Sequence, residues 1–161
     1  MGFFSNFKAK MDAAPKVDPM FQNTMILLYN LDREKGIHFD VMCESLGIQI
    51  VRVDKKDYLQ PIGALAGIEG VERVDAVYEE DEEEGSFTEI MAVMKNFTSI
   101  GMVTLKDKMK RTTGVANNFE LETILTEKNM NMNSIELRDR LYEKKMEAIA
   151  LRNAAKNNEN E

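Results

Sequence analysis

The chain has 161 residues, 43% of them hydrophobic and 30% charged, with a single cysteine, Cys43, and a single histidine, His38. That length suits one domain with an ordinary core. The lone cysteine excludes an internal disulfide and points to a reducing, cytoplasmic setting, and no apolar run approaches the roughly 20 residues of a membrane span. Nearly all of the net charge of −7 lies in one run, Glu79, Glu80, Asp81, Glu82, Glu83 and Glu84. The remainder is close to neutral, so a general attraction to nucleic acid is not indicated.

Residues 1–22 read as an N-terminal arm, interrupted by Pro15 and Pro19. Phe3, Phe4, Phe7 and Met11 lie at helical spacing there. The arm lacks the apolar stretch of a signal peptide, and Asn6 stands where a myristoylation motif requires Ser or Thr. Docking of the phenylalanines on the protein's own core is the simpler expectation, and a contact with a partner or a membrane surface is the sharper one.

A first half spans residues 23–76. Met25 to Tyr29 is a continuous apolar run suited to a strand covered on both faces. Asp32 offers an N-cap, Ile37, Phe39, Val41, Met42 and Leu46 supply the apolar side of a helix, and Gly47 stops it. Ile48 to Val53 is the second strand, which completes a βαβ unit. Pro61, Gly63, Gly67 and Gly70 then punctuate an apolar stretch that predicts a loop with a short buried helical turn. The acid-rich segment 77–87 reads as a solvated linker.

A second half, residues 88–151, repeats the pattern. Glu89 to Met94 forms a strand, and Asn96 or Thr98 caps a helix lined by Met102, Leu105 and Met109 and stopped at Gly114. Phe119 to Leu125 alternates as a strand does. Asn133 and Glu136 form a capping box that opens a final helix. Residues 152–161 read as a frayed polar tail. The predicted fold is therefore α/β: two βαβ halves sharing one mainly parallel sheet, with a C-terminal helix.

The second half resembles a known bacterial family, domain of unknown function 3783. Its strand, helix and strand are followed by Leu125-Thr126-Glu127-Lys128-Asn129 and a closing helix. Leu125, Thr126 and Asn129 match the family segment. Glu127 stands where the family tends to have proline, and Met132 lies near where it tends to have an aromatic residue. The resemblance covers about residues 88–148 and implies no activity, because the family has none established.

No composed catalytic or metal constellation is legible. His38 and Cys43 fall five apart on one predicted helix and do not make a zinc site. No Gly-x-Ser-x-Gly elbow and no phosphate-binding glycine loop occurs. Lys106, Lys108, Lys110 and Arg111 close a helix, where cations complement its dipole. Open α/β sheets bind ligands beyond the carboxyl ends of their strands, which nominates Asp54 and Asp57 after the second strand and Thr126 and Asn129 after the fourth. The competing reading makes these ordinary turn residues. The expectation is a non-enzymatic binding or regulatory module with no cofactor, acting on a protein partner or a second copy. The alternative is a binder of, or enzyme on, a nucleotide or phosphorylated metabolite at those strand ends.

Overall fold

The structure, a computed structural model, describes residues 18–79, 86–115 and 119–160. Phe3, Phe4, Phe7 and most of the acidic run lie outside the described residues.

Four strands form one sheet: β1 (Met25–Tyr29), β2 (Gln49–Arg52), β3 (Met91–Lys95) and β4 (Leu121–Ile124), in the spatial order β2-β1-β3-β4. Helix α1 (Ile37–Leu46) links β1 to β2, and α3 (Ser99–Arg111) links β3 to β4. The short α2 (Ile62–Leu65) follows β2, and the long α4 (Ser134–Glu159) follows β4. β1 and β3 are apolar over nearly their whole length because both central strands are covered on both faces.

The expected mainly parallel sheet is corrected to a mixed one. Within each half the strands are parallel, but β1 meets β3 antiparallel, Met25 opposite Lys95 and Tyr29 opposite Met91. The halves are thus related by a rotation of half a turn about an axis through the sheet. Such a rotation leaves both crossover helices on the same face. Phe39, Met42 and Cys43 of α1 accordingly share one core with Leu105 and Met109 of α3, against Ile26, Leu28, Ala92 and Met94.

The other face is left to the segments that follow β2 and β4. Tyr58, Ile62, Ala66, Tyr78, Phe87 and Leu137 cover Leu27, Tyr29, Met91 and Val93 there. An alternating strand can serve two different cores because successive side chains point to opposite faces.

Local signals act as their chemistry dictates. Gly47 ends α1 at φ 82°, in the left-handed region. Asp32 caps the turn before α1 rather than the helix itself: its Oδ1 accepts from Lys35 N at 2.7 Å, and α1 begins only after Gly36. Thr98 caps α3, accepting from Gly101 N at 2.9 Å, and Asn133 caps α4, accepting from Glu136 N at 2.9 Å. Residues beyond Asn153, expected to fray, continue as helix to Glu159. Ala154, Ala155 and Lys156 favour helix, and no Gly or Pro intervenes.

Candidate functional site

The antiparallel joint between the halves fixes where the strand-end residues lie. The carboxyl ends of β1 and β2 share one edge of the sheet with the start of β3, and those of β3 and β4 lie at the opposite edge. Asp54 and Asp57 therefore do not converge with Thr126 and Asn129 across a single crevice. The two sets occupy equivalent places at opposite ends.

Each set is engaged by its own backbone. Asp54 caps the 3-10 turn Lys55–Asp57, with Oδ1 accepting from Lys56 N at 3.4 Å. Asp57 pairs with Arg73 at 3.2 Å. Asn129 is buried; its Oδ1 accepts from Thr126 N at 2.8 Å and its Nδ2 donates to Ile124 O at 3.0 Å. These are the self-contained turn bonds that Asp and Asn side chains make.

From these turns the two post-strand segments run across the sheet face and lock together. Ile62 N donates to Met132 O and Gly63 N to Met130 O, both at 2.8 Å, and Ser134 N donates to Tyr58 O at 3.0 Å. Pro61 and Asn133 form an antiparallel bridge. A Cβ on Gly63 would stand 3.0 Å from Met130 O and from Val71 Cγ2, so a side chain here would press the two segments apart. Beneath the crossing, Tyr58 stacks on Phe87 with ring centroids 5.0 Å apart, and the hydroxyls of Tyr29 and Ser134 share a hydrogen bond of 2.7 Å. Burial raises the pKa of Tyr29 and, together with the neighbouring Tyr78, that of Tyr58. Neither phenol is poised to give up its proton near neutral pH.

Two of the hollows at the strand ends adjoin the segments after β2 and β4. One, of about 320 Å³, lies beyond β1 and β2 and is lined by Asn30, Asp32, Arg52, Lys55 and Tyr58. Its Arg52 is already spent, since Nε donates to Leu31 O and Nη2 to Asp40 Oδ1, both at 2.8 Å. The other, of about 130 Å³, lies beyond β4 and is lined by Thr126, Lys128, Asn129, Arg140 and Lys144. Among the described residues no three His, Cys, Asp or Glu side chains gather to hold a metal ion. His38 is exposed and Cys43 fully buried. Lys106 of the basic cluster forms an ion pair with Glu122 of β4.

The sequence reading did not single out Asn30 and offered Asn96 only as a helix cap, yet these two residues join the halves. Both take left-handed backbone, φ 62° and 61°, directly after a central strand. Asn30 Nδ2 donates to Phe87 O at 3.0 Å and Glu89 O at 2.9 Å, and Asn96 Nδ2 donates to Asn23 O at 2.8 Å. Each thus holds the run leading into the other half's first strand. The signal was present as a repeated spacing: Phe21, Met25 and Asn30 recur as Phe87, Met91 and Asn96.

Comparison with family models, with curated proteins and with solved structures finds no match.

Proposed function

We propose that this chain is a non-enzymatic binding module whose interior serves only to present its surfaces. The observation that carries this reading is the use made of the strand-end polar groups. In both halves the side chains best placed to meet a ligand, Asp54 and Asn129, are committed to holding their own turns. The buried phenols beneath the crossing are held protonated, which leaves them unsuited to acid–base work at neutral pH. Exposed apolar side chains are available for a partner: Ile37 and Val41 on α1, Ile100 and Val103 on α3, and Leu151 on α4.

A second reading, binding of a small phosphorylated ligand, is favoured by the hollow beyond β1 and β2 with its Lys55 and Asn30. Thermal unfolding against nucleotides, cofactors and phosphorylated metabolites separates the two. A ligand at a hundred times its dissociation constant stabilises by about 2.7 kcal/mol, which moves the midpoint of a domain this size by roughly 5 to 10 °C. A flat panel is expected. A shift of that size, lost in Lys55→Ala, would replace the module reading with the small-ligand one.

A further inference from the structure

The two edges of the sheet are finished differently. In β4, Leu121 N and Leu125 N donate inward to β3, so the backbone groups of Glu122 and Ile124 face outward. That edge is blunted. Lys145 Nζ covers Glu120 O at 2.8 Å, Asn129 Nδ2 covers Ile124 O, and Glu122 places a charge on the strand, paired with Lys106. Charged side chains and capped carbonyls are the ordinary means by which a sheet edge avoids pairing.

β2 shares only the paired charge, Arg52 with Asp40 of α1, and has no capped carbonyl among the described residues. Gln49 N and Val53 N donate inward to β1, so Ile50 and Arg52 turn their N–H and C=O groups outward. No side chain among the described residues caps them, and Ile50 holds the place that Glu122 holds in β4. Beside this edge runs a groove of about 450 Å³ lined by Arg33, Asp40, Glu44, Ile48, Ile50 and Arg52. With Arg52 and Asp40 paired within the chain and Ile48 buried, Arg33, Glu44 and Ile50 leave a cation, an anion and an apolar side chain, a surface that complements itself.

We infer that the β2 edge is a self-association surface, where two copies of this chain pair β2 with β2 antiparallel and join their sheets. The inference rests on the binding-module reading and names its partner. The register follows from which groups face outward. Ile50 of each copy opposes Arg52 of the other, so that both pairs exchange N–H···O bonds, and Val51 meets Val51 on the two-fold axis. The charges agree with this register. Asp40 marks the level of Arg52, and α1 runs back antiparallel to β2, so Glu44 stands one turn away at the level of Ile50. Across the axis, Arg52 of one copy, still paired with its own Asp40, then lies beneath Glu44 of the other.

The test is the mass of the protein in solution, followed by cross-linking at the axis. The native protein is expected to be a dimer. In this register the Cα atoms of the two Val51 residues stand about 4.5 Å apart, within the roughly 4.4 to 6.8 Å that a disulfide spans. Those of the two Gln49 residues stand about 13 Å apart. Oxidised Val51→Cys should run as a covalent dimer and Gln49→Cys should not, with the buried Cys43 silent in both. Ile50→Glu, which copies the charge of the β4 edge, should give a folded monomer. A native protein that stays monomeric to its solubility limit overturns the inference and leaves the edge to residues 1–17 or to another protein's extended segment. A dimer that cross-links at neither position, or equally at both, also overturns it. A monomer with a flat ligand panel leaves the binding-module reading intact, whereas a ligand shift in a dimer removes that reading and keeps this surface.

Discussion

Cys43 shows how far one side chain's setting is decided by its neighbours. It lies on the inward side of α1 with no exposed surface, among Phe39, Met42 and Ile48. Burial in that apolar layer, reinforced by the charge of Asp40, pushes its thiol up to about 12. The thiolate is the reactive form, so the native protein should resist a thiol reagent at pH 8 and label only as it opens. Labelling followed by absorbance, with and without denaturant, checks this; fast reaction in native buffer would place Cys43 at the surface. A raised thiol also has a sign. The folded state keeps its proton above the ordinary thiol pKa, so any contribution from Cys43 falls as pH rises beyond that range.

At the scale of elements, caps and stops were the most legible features. Gly47 and Asn133 act in the structure as their residue types require, since one relieves a left-handed terminus and the other satisfies a free amide. Replacing Asn133 with Ala should cost about 1 kcal/mol, lowering the thermal midpoint by roughly 2 to 4 °C. Asn133→Asp should recover most of it, and unfolding curves of the two variants decide the matter. Equal losses in both would show that the side-chain cap does not account for the stability lost at this position. Asp32 was less legible because it has two turns within reach. It satisfies the earlier one, and α1 starts four residues later at Ile37 than a cap at Asp32 would require.

For the whole molecule, the ties between distant segments matter most. Arg138 of α4 grips Glu89, in the run leading into β3, with contacts of 2.5 and 3.4 Å. It also lies over the Tyr142 ring, 4.6 Å from its centroid. The hydrogen bond from Arg138, outweighing the opposing effect of burial, holds the Glu89 carboxyl below its usual range. A lowered carboxyl contributes stability that is complete above the unfolded value, about 4.3, and is lost as pH falls through the folded one. The midpoint gap between the native protein and Glu89→Gln should therefore be open at pH 7 and close on acidification toward pH 3. A gap independent of pH would show that charge plays no part in the tie.

The sequence by itself determined the strands, the crossover helices, the stop at Gly47 and the cap at Asn133, because these depend on side chains within a few residues of one another. Apolar runs within Met25–Tyr29 and Glu89–Met94 called for strands, the first of them covered on both faces, and the repeat of strand, helix and strand called for a shared sheet. Tertiary structure alone decided that β1 meets β3 antiparallel. Nothing local distinguishes a parallel from an antiparallel neighbour when both strands are apolar on both faces. That one choice sent the strand-end residues to opposite edges, turned both crossover helices to one face, and made the two post-strand segments close the other. It also left one edge strand capped and the other open. The backbone groups of Ile50 and Glu122 are chemically alike, and the carbonyl caps from Asn129 and from Lys145 of α4 set the β4 edge apart.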